Sequence, residues 1–247
     1  MKTKIYSSLF IFLLTVSACE KKTDEPLTRP VEFPETTYEP LGTYDDLGKP
    51  NYLSTPDPIS NELRSYINST LPEKVDLRST HPELLSSSAI GDIVITQQSD
   101  VFITFVSQGT GFKNTFAYYT YPTNQPPASP KDIKKIYFVF PNAGFDTPLS
   151  PGDKVKIGNF NAGTSIGFVI LKDAWNSASK TINNKAVHFL SNDVLNPEVD
   201  PKLKKHAVLI NYPSENKVLI GFEDIDRTSP DCDHDFNDVV VYATVMP

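Results

Sequence analysis

Two β-prone runs enclose a strongly acidic segment in the last quarter of the chain. The sequence there reads Val218-Leu219-Ile220-Gly221-Phe222-Glu223-Asp224-Ile225-Asp226, then Arg227-Thr228-Ser229-Pro230, then Asp231-Cys232-Asp233-His234-Asp235-Phe236-Asn237-Asp238, and finally Val239-Val240-Val241-Tyr242. Seven carboxylates fall within sixteen residues, and Arg227 is the only basic residue among them. The flanking runs predict two strands. So many anions at a strand junction repel one another unless a cation or open water relieves them.

The acidic segment is therefore predicted to bind calcium, the hard cation that oxygen ligands suit best. Asp231, Asp233 and Asp235 alternate along the chain, so their side chains share one face if the segment is extended. The predicted ligands are Glu223 or Asp224 with Asp233, Asp235, Asn237 and Asp238, and the secondary candidates are Asp231 and Asp226. One or two ions would neutralise the repulsion and hold the loop between the two strands.

Two other interpretations of the segment remain open. A charged hairpin can simply keep a sheet edge solvated. Cys232 and His234 can also bind zinc, but a structural zinc site needs four ligands and no second pair is present. His234 is expected to be an exposed turn residue.

Short β runs separated by turn signals dominate the chain from about residue 88. They predict an all-β fold, an antiparallel β-sandwich or jelly roll that forms a single domain over residues 88–247. The predicted strands are Asp92–Thr96, Val101–Ser107, Phe116–Tyr121, Lys135–Phe140, Lys154–Ile157, Ile166–Leu171, Ala186–Leu190, His206–Asn211, Lys217–Phe222 and Val239–Val245.

Two segments of different character precede the predicted sandwich. Residues 61–87 are predicted as a short helix and linker, with Ser60 as the N-cap and Leu63 and Ile67 on one helix face. Residues 19–60 are rich in proline and polar residues. They are predicted to form a semi-extended tether that is dispensable for folding.

The first residues carry an export signal. Residues 1–18 contain two lysines, an apolar run too short to span a bilayer, and small residues before Cys19. Val16-Ser17-Ala18-Cys19 resembles a bacterial lipobox, which predicts an acylated Cys19 and attachment to the membrane by this lipid. The predicted location is the cell envelope, as an outer-membrane lipoprotein facing the periplasm or the cell surface. The alternative is an ordinary secretory signal with an incidental cysteine.

The net charge argues against one class of partner, and the cysteine content argues against an intramolecular disulfide. Maturation at Cys19 would remove Lys2 and Lys4, which leaves 21 basic against 30 acidic groups and a net charge of −9. This charge argues against nucleic acid as a partner. The chain has two cysteines, so a lipid on Cys19 leaves Cys232 without an intramolecular disulfide partner.

The order of several motifs resembles a known bacterial family. These motifs are Phe140-Pro141-Asn142, Leu149-Ser150-Pro151-Gly152-Asp153-Lys154-Val155, Gly163-Thr164-Ser165-Ile166-Gly167-Phe168 and the closing acidic segment up to Val240. Together they resemble the "domain of unknown function 4114" family, also seen in LruC-type C-terminal domains, over about Ser99 to Val245. The resemblance implies a β-sandwich on an exported, envelope-attached protein, with the closing motif as a calcium site.

No catalytic motif accompanies this fold, so the chain is predicted not to be an enzyme. The favoured function is a binding or adhesion module for a glycan or a surface protein, because aromatic side chains on a sandwich can stack on sugar rings. The aromatic candidates are Trp175, Tyr118, Tyr119 and Tyr121. The alternatives are a structural envelope component without a ligand, and a carbohydrate-active enzyme that uses two loop carboxylates.

Overall fold

Two β-sheets face each other across an apolar core in the computed structural model, which describes residues 30–247. The strands are β1 (Thr37–Pro40), β2 (Ile93–Val94), β3 (Ser99–Ser107), β4 (Thr115–Pro122), β5 (Lys135–Phe140), β6 (Lys154–Phe160), β7 (Thr164–Leu171), β8 (Trp175–Asn176), β9 (Thr181–Ile182), β10 (His188–Leu190), β11 (Ala207–Tyr212), β12 (Lys217–Phe222) and β13 (Val239–Met246). The helices are α1 (Asn61–Thr70) and α2 (Leu77–Thr80), with 3-10 turns at Pro82–Leu85, Pro130–Asp132, Asp193–Leu195 and Pro213–Glu215.

The strand order confirms the predicted all-β sandwich. The first sheet has the order β1-β5-β4-β7-β10, with β2 also paired to β7, and the second has the order β11-β12-β13-β3-β6. Within the described residues every strand pair is antiparallel except β1 with β5, which is parallel. The short pair β8-β9 lies outside both sheets.

Aromatic side chains fill the space between the sheets. Phe116 lies at the centre of this core, with ring centroids of Phe140, Phe168 and Phe222 at 6.2, 5.9 and 6.0 Å. All four rings are fully buried. Removing a side chain of this size from water contributes roughly 1.5–3 kcal/mol. Phe222 is the last residue of β12, so the core anchors the strand from which the acidic segment departs.

The outer face of the second sheet is covered by α1. Leu63 and Ile67 are buried and pack with strand residues such as Leu219 and Tyr242. The Ser60 hydroxyl accepts a hydrogen bond from the Leu63 amide at 3.0 Å, which satisfies one of the free donors at the start of a helix. The predicted helix and its cap are confirmed.

The predicted tether is wrong for residues 30–60, which pack onto the sandwich. β1 extends the first sheet, and Phe33 is buried in a cluster on the outer face of that sheet. The Tyr52 hydroxyl donates to the Val139 carbonyl at 3.0 Å. Aromatic residues between the prolines supply the apolar surface that the proline-rich composition concealed.

The other N-terminal predictions lie outside the described residues. They concern the signal peptide at 1–18, the lipid on Cys19 and the first part of the segment 19–60. Among residues 30–247, no helix is both long enough and apolar enough to cross a bilayer.

Candidate functional site

The acidic loop, residues 223–238, is closed at its base by the pairing of β12 with β13. Phe222 is registered with Val239, so the chain leaves and re-enters the sheet at the same position. The Asp238 amide donates to the Phe222 carbonyl at 3.1 Å, and the Glu223 amide donates to the His206 carbonyl at 3.0 Å. The loop therefore has fixed ends, and its carboxylates are held against the sandwich.

A glycine lets the loop fold back on its own strand. A Cβ built at Gly221 would lie 2.4 Å from the Phe236 carbonyl oxygen, so no larger residue fits without a shift of the backbone. The Phe236 side chain is fully buried in the cluster formed with α1. This close approach places Phe236, in the second half of the loop, against Gly221 of β12.

Three of the predicted ligands converge. Ligand oxygens of Glu223, Asp233 and Asp235 lie within 4.8 Å of one another. Glu223 and Asp235 are 1% and 2% exposed, whereas Asp233 is exposed and opens the cluster to solvent. One Asp235 oxygen accepts from the Lys74 amide at 2.7 Å, and Glu223 Oε2 has no hydrogen-bond partner among residues 30–247. An unpartnered buried carboxylate oxygen is costly unless a cation or proton binds it.

Two further predicted ligands form a separate buried pair. Asp224 Oδ2 accepts hydrogen bonds from Thr110 Oγ1 and Asn114 Nδ2, each at 2.5 Å. Asp238 Oδ2 accepts from the Asp224 amide at 2.7 Å. Asp224 Oδ1 is buried without a partner. Because Glu223 and Asp224 are consecutive in extended chain, they serve different clusters, as the alternation of side chains requires.

Burial and mutual repulsion raise the pKa of these carboxylates. Burial, followed by the charge of Asp233, raises the pKa of Glu223 to about 7. Burial, followed by the charge of Asp224, raises the pKa of Asp238 well above its usual range. Burial also raises the pKa of Asp224 and of Asp235. Without a cation the folded chain therefore disfavours the ionised state of the loop.

The remaining predicted ligands take other positions. Asn237 is half-buried, and its backbone N–H donates to Asp235 at 3.0 Å. Its side-chain Oδ1 has no hydrogen-bond partner among residues 30–247. Asp226 accepts from the Thr228 amide and hydroxyl at 2.8 and 2.6 Å, so it fixes a turn. Asp231 is exposed. The structure brings neither Asp226 nor Asp231 into the cluster of three.

The expectation that His234 is exposed is wrong, since it is 4% exposed. Its Nδ1 lies 3.1 Å from Cys232 Sγ and accepts from Arg227 Nε at 3.2 Å. Burial and then the Arg227 charge lower the pKa of His234 to about 4. A guanidinium at this distance repels a divalent ion and occupies the imidazole lone pair, so the arrangement disfavours zinc at Cys232 and His234.

Buried polar residues that the sequence did not single out hold the loop in place. Arg227 is 2% exposed and donates to the Lys205 carbonyl at 2.8 Å. His206 bonds the Glu223 carbonyl oxygen at 2.9 Å and Glu198 Oε1 at 2.6 Å. In the sequence, the only indication of these buried contacts was the presence of Arg227 among seven acidic residues.

Three of the four aromatic candidates for sugar stacking are buried. Trp175, Tyr118 and Tyr119 are 3%, 3% and 1% exposed. Tyr118 lies in the core between the sheets, and Tyr119 lies in the cluster on the outer face of the first sheet. Tyr121 alone of the four candidates is half-buried. Three of these side chains therefore serve packing rather than an open binding face.

A two-sheet sandwich with an acidic loop between paired strands defines the class of domain. Residues 160–246 match the model of the family described as "Domain of unknown function (DUF4114)". This match confirms the resemblance over residues 160–246, whereas the motifs at 140–142 and 149–155 precede the matched residues. The searches of curated proteins and of solved structures found no match to the chain.

Proposed function

We propose that the acidic loop is a structural calcium site in a non-catalytic binding module of the cell envelope. The observation that carries the proposal is the convergence of Glu223, Asp233 and Asp235, two of them buried, with ligand oxygens within 4.8 Å. Carboxylate oxygens are the usual protein contribution to a calcium site.

The donor chemistry favours calcium over other ions. The cluster offers carboxylate oxygens, and Asn237, two residues after Asp235, carries a further side-chain oxygen without a hydrogen-bond partner in the described part of the chain. Calcium accepts six to eight oxygen ligands in flexible geometry, whereas magnesium demands a near-ideal octahedron and transition metals favour nitrogen or sulfur. The buried pair Asp224 and Asp238 would offer carboxylate oxygens to a second ion.

The ion's role in this proposal is to stabilise the fold. The loop connects β12 to β13, and β13 is flanked by β12 and β3 within the second sheet. Neutralising the buried charges would remove the repulsion that opposes this arrangement. Attachment through an acylated Cys19 would hold the module at the membrane, and glycans are the proposed ligand class.

Calcium-dependent melting tests the proposal. Millimolar calcium added to the chelator-treated protein should stabilise it by about 2.7 kcal/mol at a hundredfold excess over the dissociation constant. For a domain of this size that is a rise in melting temperature of about 5–10 °C, and magnesium should give much less.

Matched amide substitutions give the control. Asp235→Asn should abolish the calcium-induced rise. Asp146→Asn should keep it, because the Asp146 side chain is 62% exposed and lies outside the loop. An unchanged melting temperature of the wild-type protein on adding millimolar calcium would make the loop a solvated acidic hairpin and overturn the proposal.

A further inference from the structure

A cleft opens in the first sheet where β4 and β5 separate. Their antiparallel ladder ends at the pair Tyr118 and Tyr137. Beyond that point, within the described residues, β4 continues to Pro122 paired only with β7. The first residues of β5, from Lys135, pair only with β1. The connecting segment passes around the gap, so two neighbouring strands enclose a space instead of bonding to each other.

The cleft has the size and mixed lining of a small-ligand site. Its volume is about 560 Å³, within the usual range for such sites. The lining includes Thr120, Tyr121, Pro126, Lys135 and Tyr137. It therefore combines ring and proline surface with hydroxyl and ammonium groups.

Buried neighbours fix the two tyrosine rings of the cleft. The Tyr137 ring stacks on Tyr118, with centroids 5.1 Å apart and an interplanar angle of 18°. The Tyr118 hydroxyl donates to the Ile157 carbonyl at 2.8 Å. The Tyr121 ring stacks on buried Tyr119 at 6.2 Å, and its hydroxyl donates to Asp92. Rings held in this way lose little entropy when a ligand packs on them.

We infer that this cleft binds a saccharide ring of a glycan. A pyranose has an apolar face that packs on an aromatic ring and a rim of hydroxyls that need donors and acceptors. Both kinds of surface line the cleft: the tyrosine rings and prolines are apolar, and Thr120 and Gln125 carry hydroxyl and amide groups. The Lys135 ammonium lies 5.5 Å from the Tyr137 ring centroid and is paired with Glu39 at 2.8 Å. The inference rests on the proposed binding role and gives that role a site away from the acidic loop.

The shape of the cleft favours a sugar over an added peptide strand. Strand addition needs an open sheet edge several residues long. Here the part of β4 that is paired with β7 but not with β5 spans only residues 119–122. It ends at Pro122, which lacks an N–H, and it faces β5 across the gap. A compact ring fits this enclosure better than an extended backbone.

A glycan array tests the inference on the calcium-loaded protein. The array should carry oligosaccharides of glucose, mannose, galactose, xylose, N-acetylglucosamine and uronic acids, with an array of extended peptides beside it. Binding to at least one sugar series should fall tenfold or more in Tyr137→Ala and in Thr120→Arg. Thr120 is exposed, so the arginine fills the cleft without disturbing the core if Tyr137→Ala fails to fold.

Phe145→Ala is the matched control. Phe145 is 46% exposed and lies beyond the opposite end of β5 from the cleft, so its loss should leave glycan binding unchanged. Glycan binding that survives in both cleft variants would overturn the site and leave the proposed function standing. A wild-type protein that melts higher with calcium yet binds no glycan, or binds only peptides through the cleft, would overturn the inference and the proposed ligand class.

Discussion

Replacing Glu223 by glutamine should stabilise the chelated protein at neutral pH and weaken its response to calcium. Glu223 is 1% exposed, and burial followed by the charge of Asp233 raises the pKa of its carboxyl from 4.5 to about 7. A glutamine has the shape of the protonated acid and cannot ionise. The variant therefore separates the cost of a buried charge from the cost of an altered shape.

The expected size follows from the linkage between protonation and folding. A group whose folded pKa is raised contributes stability at pH values below its unfolded pKa, and this contribution is lost as the pH rises through the folded pKa. For a pKa that rises from 4.5 to about 7, the wild-type protein should lose about 2 kcal/mol relative to Glu223→Gln between pH 5 and pH 7.5.

Urea unfolding in EDTA at these two pH values measures the difference. His188 and His234, whose pKa values burial lowers to about 4, change stability in the opposite direction over this range. Both histidines are present in both proteins, so subtracting the two unfolding free energies removes most of their effect. At pH 7.5 with millimolar calcium, the variant should gain less stability than the wild type. An equal difference at both pH values in EDTA would refute the reasoning, because Glu223 would then ionise in the folded protein at its ordinary pKa.

The remaining predictions concern the strand glycine, the N-terminal segment and the lipid. Gly221→Ala should cost about 1–3 kcal/mol of unfolding free energy, because its Cβ meets the Phe236 carbonyl, while Gly111→Ala, with no atom within 4 Å of its Cβ, should cost far less. Deleting residues 20–58 should lower the melting temperature by several degrees, since the sheet loses β1; an unchanged melt would restore the tether. Fatty-acid labelling in cells should mark the wild-type protein but not Cys19→Ala, and equal labelling would exclude the lipoprotein.

The sequence predicted the strands well because their signals are local. β5 and β12 begin and end where the alternation and turn residues placed them. β1 was missed because its sheet partner in the described part of the chain, β5, lies about a hundred residues away, and no local pattern reports such a pairing. β8 and β9 were missed because two-residue strands carry no periodicity.

The candidate site was predicted in composition but not in arrangement. Seven acidic residues indicated a cation site, and the structure brings Glu223, Asp233 and Asp235 together. Alternation along the chain correctly grouped Asp233 with Asp235 but wrongly added Asp231. It could not show that Asp224 contacts Thr110 and Asn114 on another segment. The positions of His234 and Arg227 also depend on contacts with more distant residues, since the Leu77 amide donates to the His234 carbonyl and Arg227 donates to the Lys205 carbonyl.

The pairing of β13 with β3 has a consequence for how the protein folds. This ladder joins residues near 107 to residues near 240, across most of the described chain. Contacts between such distant segments form slowly, because a long loop must close before any bond compensates its entropy. The pairing of β12 with β13 is closer in sequence, so we expect the ladder between β13 and β3 to be the late step that joins β3 and β6 to β11, β12 and β13. A chain caught before that step exposes two open strand edges, which makes the interval before β13 docks the period of greatest aggregation risk.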